Sequence, residues 1–195
     1  MRIILVTGSK GQVGNELQLV ANTQSNYQFF FTDVQSLDIT NQAAVLNYFK
    51  DNNIDICINC AAYTAVDKAE SDSDTAGRVN ALAPELLGRY SKQTGAKLIQ
   101  VSTDYVFAGD AHQPYSEDHA VRPQGVYGIT KLEGELNCLR ENPNTIIIRT
   151  SWLYSTFGDN FVKTMLRLGK ERGELGVVFD QVGTPTYAND LAKTI

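Results

Sequence analysis

The chain opens on an apolar, β-branched run, Arg2 to Thr7, that breaks at once into Gly8-Ser-Lys-Gly11-Gln-Val-Gly14 and then into a helical pattern through Leu17 and Val20. No other stretch restricts the fold as strongly. A run of that kind is expected for a strand covered on both faces of a parallel sheet. Glycines directly behind it let the backbone turn tightly and approach a pyrophosphate, and the helix that follows offers unpaired N–H groups and a positive dipole end. Strand, glycine turn and helix in this order form a dinucleotide-binding opening, which places Gly8, Gly11 and Gly14 at a cofactor. A plain βα turn is the competing reading, and the position immediately after the first strand weighs against it.

Tyr27 to Thr32 reads as the second strand, and Asp33 closes it nineteen residues beyond Gly14. An acid about 20 residues past the glycines is placed to accept hydrogen bonds from the adenosine ribose hydroxyls. Its charge opposes the 2′-phosphate of NADP, and no Lys or Arg lies between Asp33 and Thr40, so NADH is favoured over NADPH. Lys10, in the glycine loop, is nevertheless within reach of a phosphate. Asp is also common in turns, which keeps a local role for Asp33 open.

Further along, helical spacing predicts helices over 41–51, over 72–94 with a kink or boundary near Ala83 caused by Pro84, and from Tyr127 through Leu139. Strands are expected at 54–59, 97–102 and 145–149, with a short one at 177–179. An amphipathic helix is expected over 160–169, and another begins after Thr184-Pro-Thr-Tyr-Ala-Asn-Asp190. Strands alternating with helices predict an α/β fold, a Rossmann-like doubly wound parallel sheet with helices on both faces. Residues 1–150 would form the NAD(P)-binding domain, and 151–195 the start of a substrate-binding region with returning segments. The polar, Pro-containing loop over 108–124 is long enough to suggest a lid or binding role.

Two clusters carry chemistry. Ser102-Thr103-Asp104 brings hydroxyls to a strand's carboxyl end, where a substrate carbonyl needs a donor, although a turn cap would use the same residues. Tyr127 and Lys131 lie four apart, on one helix face. A cation beside a phenol favours the phenolate, so a tyrosine with an ordinary pKa of about 10 becomes a proton donor and acceptor near neutrality. Gly134 and Cys138 share the tyrosine's face while Ile129, Leu132, Leu136 and Leu139 form the opposite one, which predicts a helix packed on both sides.

A net charge of −5 and no dense Lys/Arg cluster argue against a nucleic-acid surface. The opening apolar run is too short for a signal peptide, and nothing approaches the roughly 20 apolar residues of a membrane span, so a cytoplasmic location is expected. Cys57 and Cys60 fall at a strand end, where their odd separation points them to opposite faces. With no second cysteine pair, and with His112 and His119 in loop-like sequence, no zinc or redox site is expected.

The G-x-x-G-x-x-G turn, the Ser102-Thr103-Asp104 strand end and the Tyr127-x-x-x-Lys131 pair occur in the order of the extended short-chain dehydrogenase/reductase family, which this chain resembles. Longer stretches sharpen the likeness to the dTDP-4-dehydrorhamnose reductases within it: Asn59-Cys-Ala-Ala-Tyr-Thr-Ala-Val-Asp-Lys-Ala-Glu70, Ser102-Thr-Asp-Tyr-Val-Phe107, Tyr127-Gly-Ile-Thr-Lys-Leu-Glu-Gly-Glu135, Arg149-Thr-Ser-Trp152 and Asn160-Phe-Val-Lys-Thr-Met165. The resemblance implies reduction of the 4-keto group of a dTDP-sugar substrate, dTDP-4-dehydro-L-rhamnose, by NADH or NADPH in nucleotide-sugar synthesis. On it, Tyr127 protonates the developing alkoxide, Lys131 holds the ribose and lowers the tyrosine's pKa, and Thr103 hydrogen-bonds the sugar oxygen. It assigns Gly11, Gln12 and Val13 to the pyrophosphate, Asp33 to the ribose, Asp38 and Ile39 to the adenine neighbourhood, and Ala62, Tyr63 and Thr64 to the strand end along the cofactor. Asp104 and Trp152 match sugar-contacting positions, and Asn160 and Lys163 fall near the nucleotide diphosphate.

Relatives that are dehydratases follow the threonine with an Asp-Glu pair. Here Asp104 precedes Tyr105, which favours simple reduction over dehydration or epimerisation. Against a non-catalytic, NAD-binding regulatory subunit of the same family stand the intact Thr103, Tyr127 and Lys131. Members of the family carry a further segment, most of a substrate domain, that these residues lack, so the chain is expected to bind cofactor and turn over poorly. Some members form homodimers through Mg2+ on acidic residues. Glu16 fits such a site, but Asn189 stands where a second acid would be sought, so no metal is assigned.

Overall fold

The computed structural model describes residues 1–195. Its centre is a five-stranded parallel sheet in the order β2-β1-β3-β4-β5, built from β1 (Arg2–Thr7), β2 (Tyr27–Thr32), β3 (Ile56–Asn59), β4 (Lys97–Thr103) and β5 (Ile146–Thr150). Side chains alternate between two covered faces, as parallel strands require. Leu5, Cys57 and Leu98 stand in one register row and pack under α2 (Gln42–Asn52) and α5 (Ala83–Thr94), in a cluster with Phe49, Leu86, Leu87 and Tyr90. Val6 and Ile58 face the other way, onto Val13 and Leu17 of α1 (Gln12–Ala21) and Leu191 and Ala192 of α8 (Ala188–Thr194). The doubly wound sheet expected from the sequence is therefore present. The strand order reverses between β1 and β3, which is where open sheets of this kind hold ligands.

Two short helices, α3 (Val66–Ala69) and α4 (Ser73–Gly77), lead to a π-helical turn at Arg78–Leu82 and so into α5. Pro84 has no N–H to give the carbonyl four residues back, and the widened turn absorbs the mismatch, with Ala83 N–H donating to Arg78 O. The kink predicted near Ala83 takes this form. The Asn80 carbonyl stands against α6 (Val126–Glu141) at Gly134, where a Cβ would lie 2.0 Å from it. That approach seats α6, and with it Tyr127 and Lys131, on the sheet edge.

Several boundaries and surfaces differ from expectation. β3 starts at Ile56 rather than Ile54. Ile129 and Leu136 are exposed while Leu132 and Leu139 are half-buried, so the leucine face of α6 is only partly covered. Val177–Phe179 forms no strand: it lies in an extended, exposed segment between α7 (Phe161–Glu171) and β7 (Thr186–Tyr187), with no neighbouring strand to pair with. β7 instead pairs in parallel with β6 (Leu153–Tyr154), a small second sheet that the sequence did not announce. Cys57 joins the core under α5 while Cys60 lies beside the opposite cluster, the two-faced arrangement their spacing implied. No helix is long and apolar enough to cross a membrane.

Candidate active site

A cleft of about 1390 Å³ runs along the carboxyl ends of β1, β3, β4 and β5. Gly8, Gly11, Gln12 and Val13 form its floor. Gly8 has φ of 66°, in the left-handed region, and a Cβ there would stand 2.6 Å from Ala61 N, so the turn and the end of β3 close on each other only around a glycine. Gly11 is the N-cap of α1, no side chain caps that helix, and its first turn holds no acid. The leading N–H groups are thus free for a phosphate, and the residues present fit a dinucleotide. Gly14 does not reach the cleft; it packs against Gly8 and Ser9.

At the β2 end, Asp33 is held by its own turn. Its Oδ1 accepts from Gln35 N, Ser36 N and Ser36 Oγ at 3.0, 3.2 and 3.2 Å, and Lys10 Nζ pairs with Oδ2. Lys10 above all holds the carboxyl down at about 2. Asp38 Oδ1 accepts from Thr40 N and Oγ1, which lowers its pKa, and Ile39 is a buried wall of the same recess. Ala62 and Thr64 line the β3 side. Tyr63 does not: its hydroxyl bonds Asp72, and its backbone is pinned by the Asn80 amide.

Thr103, Asp104, Tyr127 and Lys131 meet on the wall where β4 ends. Thr103 ends β4 and receives Tyr105 N at Oγ1, so it caps the turn as well as facing the cleft. Burial raises the Tyr127 pKa, the Thr103 hydroxyl pulls the other way, and the neighbouring Asp104 and Tyr105 push it further up. Lys131, 4% exposed, rests its ammonium on Val101 O at 2.8 Å, and burial brings its pKa down to about 8. The expectation that Lys131 depresses the tyrosine is therefore not met in this geometry. The ammonium is committed to a backbone carbonyl, and desolvation of the phenol dominates. Asp104 is likewise raised by burial.

Trp152 also reaches the cleft, with φ of 46°. A bulky residue in the left-handed region costs about 1–3 kcal/mol, a strain of the kind found at ligand sites. Asn160 and Lys163 stand apart from the cleft. Asn160 caps α7 through Lys163 N and gives its amide to Gln12 Oε1 and Ser155 O, while Lys163 Nζ holds the carbonyls of Thr156 and Gly158. Both build the loop beside the cleft rather than facing it. The 108–124 loop does not line the cleft: Tyr115 stacks on Phe107, His119 abuts both rings, and Arg149 lies over Phe107 while its Nη1 donates to Glu117 O. Glu16, 1% exposed, accepts from Ser155 Oγ at 2.6 Å and Asn189 Nδ2 at 2.9 Å, so Asn189 serves there as a donor to the acid.

Residues without an expected role also shape the site. Glu70 Oε1 accepts from Val126 N at 2.8 Å and so caps the helix that carries Tyr127 and Lys131. Asn80 ties Tyr63 to Thr130 of that helix. The sequence signal for Asn80 was only its place four residues before Pro84.

Residues 1–195 match the family described as RmlD substrate binding domain. The dTDP-4-dehydrorhamnose reductase of Aggregatibacter actinomycetemcomitans is 41% identical over all of this chain, which spans 66% of that relative's length. Among solved structures, a dTDP-4-dehydrorhamnose reductase from Clostridium acetobutylicum superposes with a TM-score of 0.95 at 49% identity, covering 98% of this chain and 68% of that one. The Bacillus anthracis enzyme of that name, solved in complex with NADP, has a TM-score of 0.95 at 44% identity, covering 100% and 69%. The chain therefore spans about two thirds of the proteins it matches. With the glycine turn, the Thr103 strand end and the Tyr127–Lys131 helix all in place on one cleft, the chain belongs to the RmlD family of extended short-chain dehydrogenase/reductases, that of the dTDP-4-dehydrorhamnose reductases.

Proposed function

We propose that this cleft reduces the 4-keto group of dTDP-4-dehydro-L-rhamnose to dTDP-L-rhamnose with a nicotinamide dinucleotide, NADH before NADPH. The observation that carries the reading is the meeting of Thr103, Tyr127 and Lys131 on one wall of a cleft whose floor is a bare helix N-terminus. When bound, the dinucleotide supplies the hydride that goes to the carbonyl carbon. Tyr127 then gives its phenolic proton to the oxygen that gains charge, and a phenol kept protonated by burial is suited to donate. Thr103 hydrogen-bonds the same oxygen, and Lys131 holds the ribose hydroxyls. Asp104 and Trp152 contact the sugar. Asp33 accepts from the adenosine ribose and disfavours a 2′-phosphate, with Lys10 as the nearest countercharge.

The test measures NADH oxidation by dTDP-4-dehydro-L-rhamnose, with product identified, in this chain and in a chimera carrying the last third of the Aggregatibacter relative. Tyr127→Phe is expected to slow turnover about 10²–10⁴-fold while NADH still binds. Unchanged turnover in that variant would end the reading.

A further inference from the structure

Side chains in register rows run straight across the strands, and the row Leu5–Cys57–Leu98 is apolar core. One pleat nearer the cleft, on the same face, stands the row Thr7–Asn59–Gln100. These three are polar yet only 1%, 0% and 2% exposed. Burying such groups is costly unless each is bonded. They bond in series: Thr7 Oγ1 donates to Asn59 Oδ1 at 2.6 Å, Asn59 Nδ2 to Gln100 Oε1 at 2.7 Å, and Gln100 Nε2 to Val101 O at 2.9 Å. The direction of the series is fixed by the backbone. Ala61 N–H also donates to Asn59 Oδ1, at 3.2 Å, and cannot reverse. Asn59 must then turn its NH₂ to Gln100, which leaves the Gln100 NH₂ for Val101 O.

The series ends where Lys131 begins, because Val101 O is also the acceptor of the Lys131 ammonium, at 2.8 Å. An apolar row would fill the same space, as it does one pleat below. We propose that Gln100, backed by Asn59 and Thr7, is a positioning residue for Lys131: its amide fixes the carbonyl on which the ammonium rests, so that the other two N–H bonds stay turned to the cleft. The proposal deepens the reading that Lys131 serves a bound cofactor. Two donors converge on one oxygen, so the Gln100 amide acts by holding the Val101 carbonyl in place and not by strengthening it as an acceptor. The other groups around the ammonium are Tyr127, Glu135 and Cys138 on its own helix, Cys60 at the end of β3, and Asp104 beyond the tyrosine. Glu135 is already engaged by Arg149 of β5 at 2.7 Å, which leaves Val101 O as the direct partner of Lys131.

The test follows the Lys131 titration by NMR of isotope-labelled lysine, without ligand, in the wild type and in Gln100→Met, Thr7→Val and Leu98→Ala. Gln100→Met keeps the shape and removes the amide. Once the carbonyl is no longer held, the Lys131 midpoint should move by about one unit, about tenfold in proton affinity. Thr7→Val, at the far end of the series, should shift it the same way by less. Leu98→Ala, in the apolar row, should lower the melting temperature and leave the midpoint in place. An unmoved midpoint in Gln100→Met and Thr7→Val, or an equal shift in Leu98→Ala, overturns the proposal. If Gln100→Met does not fold, Thr7→Val against Leu98→Ala decides. NADH binding is measured alongside: its absence in the wild type would defeat the proposed function and leave the titration result standing.

Discussion

The two sides of the cleft are built differently. On the sheet side Phe49, Leu5, Leu87 and Leu98 are fully buried and the Thr7–Asn59–Gln100 row is bonded in series. On the far side α7 is strongly amphipathic yet buries no residue: Phe161, Val162 and Leu166 are exposed, as are Val177, Val178 and Phe179 in the segment beside it. Part of that segment still lines the cleft. The difference separates two tasks. The sheet side is preorganised, because a positioned proton donor gains from every group that cannot move. The far side supplies shape but little stability.

That contrast can be broken by substitution, with urea unfolding as the measurement. Phe49→Ala, in the core under α2, should destabilise by about 3–5 kcal/mol. A much smaller loss would mean the sheet side is not the stable half. Lys131→Met should act in the opposite direction, because the buried ammonium carries a penalty. The folded-state pKa of about 8 lies below the ordinary 10.5, so the unfolded chain binds the extra proton between those values. Stability conferred at this site therefore rises as pH climbs from 8 to 10.5, and the penalty is full below pH 8. Lys131→Met should gain up to about 3 kcal/mol at neutral pH, a gain that fades by the upper value, and NADH affinity should fall. A gain independent of pH would contradict the burial argument. Gly134→Ala forces a Cβ onto the Asn80 carbonyl and should cost about 1–3 kcal/mol, with the NADH affinity falling as α6 shifts. Leu166→Ser, on the open face of α7, should stay within about 0.5 kcal/mol of the wild type. A large loss there would show that the far wall is packed after all.

The strands and the cleft floor were legible because their signals are local. A β-branched run followed by spaced glycines has few other structures available, and Arg2–Thr7 and Tyr27–Thr32 have the expected bounds. The Tyr127–Lys131 pair was legible from helical spacing, whereas its electrostatics were not. Spacing puts the two on one face but does not say that Val101 O takes the ammonium or that burial governs the phenol. Nothing in the sequence signals what Gln100 does, since only the register shows it as the end of a buried polar row. Asn160 and Lys163 lie off the cleft for a related reason: a cap and a contact at the cleft use the same polar atoms. Val177–Phe179 has strand composition and no strand to pair with, and composition alone cannot supply a partner.

The packing of α8 on α1 sets an order in time. Val13 and Leu17 of α1 share their cluster with Leu191 and Ala192, so that face cannot be completed until those late residues exist. At about 5–20 residues per second, synthesis leaves the back of the glycine-loop helix uncovered on the order of ten seconds or longer. During that interval β1 can already pair with β2 and β3 and bury its other face under α2 and α5. A nascent chain would thus hold a half-covered sheet with a sticky helix surface, the stage at which a chaperone or premature aggregation has its opening.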